Sequence, residues 1–312
     1  MEIGGRHGKT RIAVVTVLPE EFDAAQRAFA ATQHILHTRA YTAAAPANVP
    51  EAEGSYSTVL VRAAGRGTGE AQETASRIID QFRPDFLIVL GIAGGVQGRD
   101  HVALGDAVVP DYIYYGEYMK IVKQHVLRRD GPFDQPSRYL HDLLEPIRIA
   151  TVWQQTITEA RPPAEHIAGP DARADDQVAA NKPPEQEIPV GIPKVLIAPL
   201  LTTEKILADE ENAIQAQLLD FYDHAVAADM ESAGFARGVF LNRRDPSYNP
   251  QLIVIRGVSD FVQSSNNKEQ RELWKAYASD VAARLSRVLA EEILGDWPVE
   301  SGQGEAQADL RS

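Results

Sequence analysis

The amino-acid sequence predicts an α/β fold, and three observations predict it. Phe86-Leu87-Ile88-Val89-Leu90 is an unbroken run of large apolar residues that leads into a loop, Gly91-Ile92-Ala93-Gly94-Gly95, with three glycines. An apolar run of strand length without alternation marks a strand covered on both faces. Two further apolar runs, Ile12–Leu18 and Leu252–Val258, lie far from it in the chain. Between the first run and the central one, Tyr56–Ala64, the glycine-rich Gly65-Arg66-Gly67-Thr68-Gly69, a helical segment and Arg83-Pro84 follow in the order of a βαβ unit. Ligands of open α/β sheets sit at the carboxyl ends of such strands, and glycines there let backbone N–H groups approach a ligand. Taken alone, the central loop fits a tight turn equally well.

Each element has a local reason. Ile12–Leu18 is the first buried strand, and Pro19 starts a helix with Glu20 and Glu21 in its first turn. Phe22, Ala25, Ala28 and Phe29 form the inner face of that helix. Tyr41–Glu53, rich in Ala and Pro, reads as a loop. Tyr56–Ala64 is a strand, and Thr68 is a candidate cap for a helix through Phe82 that Arg83-Pro84 ends. Ala103–Pro110 carries another strand signal, after which Tyr112, Tyr114, Tyr115 and Tyr118 form a strand face or a subunit interface. Ser137–Thr158 is helical. Residues 161–192 form a polar, Pro-rich insertion with almost no large apolar side chain, a loop or a disordered segment. Val195–Leu201 is a strand, Asp209–Tyr222 a helix, Ala225–Ala228 a short apolar piece and Met230–Phe240 a helix. Leu252–Val258, the last buried strand, ends at Ser259-Asp260. Asn267–Leu294 is a long helix placed to pack across the sheet, with Leu273, Tyr277, Val281, Leu285 and Val288 at helical spacing. One domain over residues 11–294 is expected, with polar tails at 1–10 and 295–312.

Composition narrows the function classes. A chain of 312 residues can bury a large core. Its formal net charge of −13 argues against a nucleic-acid backbone or an anionic membrane as partner. It leaves room for a small anion held by local N–H groups and one or two arginines. The absence of cysteine excludes disulfides, Cys-ligated zinc and a thiol nucleophile. Arg6, Lys9 and Arg11 before Ile12–Leu18 imitate a signal peptide, but Pro19-Glu20-Glu21 follows in place of a small-residue cleavage site. No apolar run is long enough to span a bilayer, and a cytoplasmic protein is expected. The eight histidines form no cluster: His34 and His37 are helix-spaced without a third ligand nearby, so no metal and no cofactor are expected. Gly65–Gly69 lacks Gly-x-Gly-x-x-Gly spacing, which speaks against a dinucleotide site.

Three acids, Glu21, Glu231 and Asp260, lie near the ends of separate strands. Each alone fits a helix-capping charge; together they fit a cleft formed with the Gly91–Gly95 loop. Leu90-Gly91-Ile92-Ala93-Gly94-Gly95, Ala228-Asp229-Met230-Glu231-Ser232-Ala233 and Arg256-Gly257-Val258-Ser259-Asp260 occur in that order, after a strand that ends in Glu20-Glu21. In these motifs the chain resembles the nucleoside phosphorylase / methylthioadenosine–S-adenosylhomocysteine nucleosidase superfamily, over roughly residues 11–125 and 194–292.

The resemblance implies a single domain with a twisted mixed sheet flanked by helices, in homo-oligomers of two or more subunits, and cleavage of the bond between a base and ribose. It implies Asp260 as the general acid towards the purine N7, with its pKa raised by burial beside an apolar strand. It implies Glu21, rather than Glu20, as the acid that activates the attacking water. Glu231 would accept hydrogen bonds from ribose hydroxyls and Met230 would pack beside the sugar. Ala93 and Gly94 would contact base and nucleophile through their backbone, with Ile92, Ser259, Ile206 and Leu207 completing the binding set. The chain also departs from the family. Ile92 stands where phosphorylases typically carry a hydroxyl, Val89 where some carry an arginine, Ile206 where nucleosidases often stack adenine on an aromatic ring, and Gln263 where a second Asp often follows. Phosphate needs charge-assisted donors, which favours hydrolysis, with Arg66 as the one residue to restore a phosphate site. Three readings follow: a hydrolase of an adenine nucleoside or nucleotide, a phosphate-dependent phosphorylase, and a non-catalytic nucleoside sensor.

Overall fold

The structure, a computed structural model, describes residues 10–31, 34–36, 42–48, 57–122, 125–129, 131–150, 152–163, 191–207, 212–243 and 246–296. Its centre is β5 (Phe86–Gly95), and the apolar run explains why: Phe86 to Leu90 are all at most 2% exposed. The strand continues through the glycines, so the expected loop is the second half of a ten-residue strand. Along one edge β5 pairs in parallel with β13 (Gln251–Phe261) over its whole length. Along the other edge it has two partners in succession. Parallel β1 (Thr10–Thr16) covers Phe86 to Val89, and antiparallel β12 (Ala227–Asp229) covers Gly94 and Gly95. This change of partner leaves an opening beside Leu90 to Ala93.

Beyond β1 the sheet continues through parallel β4 (Ser57–Arg62), then antiparallel β3 (Thr42–Asn48) and β2 (His34–Leu36). Beyond β13 it continues through antiparallel β6 (Ala107–Val109) to β10 (Val195–Ile197). β11 (Leu200–Thr202) bridges β12 and β7 (Ile113–Tyr115). β8 (Met119–Val122) and β9 (His125–Arg128) form a separate hairpin. The result is a mixed sheet of eleven strands among the described residues, flanked by six helices.

The helices are α1 (Pro19–Ala28), α2 (Thr68–Phe82), α3 (Arg138–Ile149), α4 (Ala213–Phe221), α5 (Ser232–Asn242) and α6 (Asn267–Asp296). In α1, Phe22, Ala24, Ala25 and Ala28 are buried, as the spacing predicts. On α6 the buried stripe runs through Trp274, Tyr277, Val281, Leu285, Leu289 and Ile293, while the expected Leu273 is 42% exposed. This helix lies directly on β13: a Cβ at Gly257 would stand 2.0 Å from the carbonyl oxygen of Ala278.

Four sequence expectations need correction. Part of Tyr41–Glu53 is strand β3: a register shift between Ala44 and Pro46 makes Ala45 the extra residue, and Pro46 stays in the ladder opposite Val59. Val195–Leu201 is two strands, β10 and β11, separated at Ala198 and Pro199. Thr68 is the first residue of α2 rather than its cap; Gly67 holds that position, at φ 92°, and Glu204 accepts the Thr68 N–H at 2.9 Å. The helical reading of Ser137–Thr158 divides into α3 and a 3₁₀ turn, Trp153–Thr156. Most of the 161–192 insertion, His37 and both tails lie outside the described residues.

Candidate active site

The opening beside Leu90 to Ala93 is closed by Glu21. Its Oε1 accepts the Ile92 N–H at 2.9 Å, supplying the partner that no strand provides there. Its Oε2 accepts the N–H groups of Val17 and Leu18 at 2.9 and 2.8 Å, which anchors the start of α1. Glu21 is 2% exposed, and burial raises its pKa against the opposing pull of Arg256 and these N–H groups. Neighbouring Glu20 points away and pairs with Lys275 at 2.9 Å.

Arg256 is the residue the sequence reading missed. It is 1% exposed in the middle of β13 and sits in register with Gly91 of β5. A Cβ at Gly91 would lie 2.2 Å from the Arg256 Nη1 and 2.7 Å from the Glu21 Oε1. Gly91 therefore makes room for a guanidinium and a carboxylate, not for a ligand as its position suggested. Arg256 Nη2 donates to Asp229 Oδ2 at 2.6 Å and stands 3.8 Å from Glu231 Oε2. Asp229 is held in turn by the Thr202 hydroxyl at 2.7 Å and by Ser232, whose N–H and hydroxyl both reach it. A fully buried arginine needs such carboxylates around it. The signal was present in the sequence: a charged residue inside an otherwise apolar strand is unusual unless it is paired.

Glu231 stands at the position before α5 without capping it through its side chain, and is 8% exposed; its Oε1 accepts the Gly67 N–H at 3.2 Å. Its pKa is pushed up to about 7. Burial is the first cause, and the charges of Asp229 and Glu21 add to it while Arg256 opposes.

Asp260 is placed by a bulge. The pairing of β13 with β5 runs Val258 to Ala93 and then Asp260 to Gly94, so Ser259 is the extra residue. Asp260 is 2% exposed, and Oδ1 accepts the Ser259 hydroxyl at 2.6 Å. Asp260 also has a charged partner that the sequence did not reveal. Arg271, on α6, grips both oxygens, Nε to Oδ1 at 3.2 Å and Nη2 to Oδ2 at 3.0 Å. The guanidinium fork thus engages both oxygens of Asp260 as acceptors.

Glu21, Glu231 and Asp260 line one cavity of about 340 Å³. Ile92, Ala93, Gly94, Ile206, Leu207, Met230 and Ser259 line it too, so the residues that the resemblance assigned to catalysis or binding border one space, while Glu20, Val89 and Gln263 do not. Leu207 is buried, whereas Ile206 is 65% exposed at the mouth. Arg66, Lys205, Lys268, Arg271 and Glu272 also border the cavity. Among the described residues no group of three or more His, Asp or Glu side chains is arranged to hold a metal ion. A cavity of this size at a change of strand partners, with convergent polar groups, suits a small organic ligand.

Residues 11–294 match the family model of the phosphorylase superfamily. The chain belongs to that superfamily. Solved structures with the same fold include futalosine hydrolase of Helicobacter pylori (TM-score 0.63, 12% identity, 91% of this chain and 98% of that one). The 5′-methylthioadenosine/S-adenosylhomocysteine nucleosidase of Colwellia psychrerythraea, in complex with adenine, is similar to the same degree (TM-score 0.63, 16% identity, 91% and 96%). At these identities the likeness is one of fold. A curated relative, the death domain-containing ATP nucleosidase of Amphimedon queenslandica, is 24% identical over 219 residues. That match takes in 70% of this superfamily member but spans only 36% of the relative's length.

Proposed function

We propose that this chain hydrolyses the N-glycosidic bond between a purine, adenine, and the ribose of a nucleoside or nucleotide, and releases the base. The reading rests on Glu21, Glu231 and Asp260 meeting around one cavity with the buried Arg256 among them. The names of the relatives support the same chemistry. Breaking the bond leaves positive charge on the sugar ring and negative charge on the base. Asp260 delivers a proton to the departing base, and Glu231 holds the ribose hydroxyls and offsets the charge on the ring. Glu21 has spent three acceptor sites on backbone N–H groups. A carboxylate has about four, and the remaining one takes the proton of the attacking water. Arg256 has only donors and orients the water through its oxygen.

The same network disfavours phosphate as nucleophile. Arg256 supplies a cation near the opening, but Asp229, Glu231 and Glu21 surround it with negative charge. A phosphate dianion beside Ile92 would meet that charge, while Arg66 and Lys268, the cations without ion pairs among the described residues, are exposed at the cavity border. A cytoplasmic setting and a homo-oligomer of two or more subunits belong to this proposal.

Chromatography of an adenosine or ATP incubation, with and without phosphate, tests it. Adenine and free ribose, or its 5′-phosphorylated form, are expected even in excess phosphate. Asp260→Asn keeps the shape but cannot donate an acid proton, and base release should fall by roughly 10²-fold or more. Glu21→Gln should stop hydrolysis with ligand binding retained. Formation of ribose-1-phosphate would instead make the chain a phosphorylase, and normal turnover in Asp260→Asn would remove that residue from the reaction.

A further inference from the structure

The charges at the cavity mouth divide into those already paired and those not. Lys205 is bound to Glu117 at 2.5 Å, and Glu272 to Lys275 at 2.8 Å. Glu20, the carboxylate near Arg66, is held by Lys275 at 2.9 Å. Arg66 and Lys268 are exposed and border the cavity, and among the described residues neither makes an ion pair or a side-chain hydrogen bond. Arg271, one helical turn from Lys268 and on the same side of α6, has a side chain 34% exposed although it ends on buried Asp260. A protein of net charge −13 thus places Arg66, Lys268 and Arg271 around one opening. Two cations without an ion pair among the described residues, beside a third whose partner is Asp260, fit an anionic ligand group. The carboxylates deeper inside are engaged with Arg256 and backbone N–H groups.

Resting on the hydrolase reading above, we propose that the substrate is a 5′-phosphorylated purine nucleotide whose phosphates are held by Arg66, Lys268 and Arg271, and that Arg271 gates the reaction by exchanging Asp260 for the phosphate. Without phosphate, the guanidinium occupies both oxygens of Asp260 and bars them from the base. When a phosphate takes the guanidinium, those oxygens are free to relay a proton from solvent to the base. That proton passes to the base as the N-glycosidic electron pair leaves with it. The water oxygen bonds to C1′ of the sugar, and its proton goes to Glu21 and back to solvent. The sum is nucleotide plus water to free base plus ribose phosphate, with no net proton taken up by the protein. Arg271 is a positioning residue in this scheme: it acts on the base through Asp260. Such an arrangement spares unphosphorylated nucleosides although they fit the same cavity.

The test compares adenine release from adenosine, AMP and ATP by the wild-type chain, Arg271→Met, Arg271→Lys and the double variant Arg66→Ala/Lys268→Ala. Wild-type kcat/KM should favour AMP and ATP over adenosine by roughly 10- to 100-fold, the scale of one charge-assisted hydrogen bond. Arg271→Met should raise KM for the nucleotides and also raise kcat for adenosine, because no guanidinium then occupies the Asp260 oxygens. Damage to the fold cannot produce that gain. Arg271→Lys should restore part of the nucleotide preference, since an ammonium binds phosphate but cannot fork across Asp260. The double variant, which leaves Asp260 and Arg271 in place, should lower the preference through KM. Equal use of adenosine and ATP by the wild type, or a fall in adenosine kcat in Arg271→Met, overturns the gate while leaving a hydrolase. No base release from any of the three substrates overturns the hydrolase reading and the gate together.

Discussion

Arg256 carries a full charge in a strand where Ile253, Val254, Ile255 and Val258 are all 0% exposed. Removing a charge from water is costly, and only partners of good geometry offset it. Asp229 provides that geometry, while backbone N–H groups fix where Glu21 and Glu231 stand beside the guanidinium. Of these groups the acids are the legible ones, because each lies near the end of an apolar run, where a charge is conspicuous. Arg256 is a single letter inside such a run, and Arg271 lies among Lys268, Glu269 and Glu272 on a helix surface, where charges are ordinary. Which of those charges turns inward depends on how α6 is set down, and a sequence does not state that. The role proposed for Glu231 can be separated from its structural place at the start of α5, where it accepts the Gly67 N–H, by substrate chemistry. Glu231→Gln still fills the space but lacks the charge that binds two hydroxyls. Its loss in kcat/KM should be large for a ribose substrate, roughly tenfold or more, and small for the 2′,3′-dideoxy analogue. An equal loss on both substrates would limit Glu231 to the helix start.

Strands and helices were readable wherever one local signal dominated. Unbroken apolar runs marked β1, β5 and β13, and Pro19 with two acids marked the start of α1. The reading weakened where tertiary pairing decides. β3 contains Pro46 and four alanines, a poor strand by propensity, and it exists because β4 and β2 offer ladders on either side. The bulge at Ser259 is likewise invisible in the residue types, although it turns Asp260 into the cavity. The seating of α6 on β13 has a sharper signature in Gly257. Any side chain there meets the Ala278 carbonyl at 2.0 Å, so the helix must move away from the sheet. Gly257→Ala should cost about 1–3 kcal/mol, the scale of overpacking in a close-packed core, read as a lower melting temperature. Because α6 carries Arg271 and Lys268, the nucleotide preference should fall with it. A variant with an unchanged melting temperature would show that α6 does not rest on β13 through this contact.

At the scale of the whole molecule the question is what it costs to keep so many acids inside a protein of net charge −13. Burial raises the pKa of Glu21, Asp106, Asp134 and Glu231. Hydrogen bonds from Lys275 and Arg148 lower those of Glu20 and Glu145. A group whose pKa is higher in the folded state binds more protons folded than unfolded between its two values, so stability falls as pH rises across that window. For Glu231 the window runs from the ordinary 4.5 to about 7. His141 works in the opposite sense: burial lowers its pKa, and its contribution to stability is lost as pH falls through the ordinary histidine range. The melting curve of the wild-type chain mixes these effects, but its difference from Glu231→Gln contains only the Glu231 titration and what is coupled to it. Glutamine has no proton to lose and can still accept the Gly67 N–H. Below about pH 5 both chains hold a neutral group at this position, and their stabilities should differ least. By about pH 8 the wild-type chain carries a buried carboxylate and the variant does not. The variant should then gain stability relative to wild type, on the order of 3 kcal/mol for the window from 4.5 to about 7, since each pKa unit is worth about 1.4 kcal/mol. That gain should grow steadily between the two pH values and, on the reading above, should be accompanied by loss of cleavage of ribose substrates. Parallel stability curves across the whole range would mean that Glu231 ionises in the folded chain as easily as in water, and that Arg256 cancels the cost of burying it.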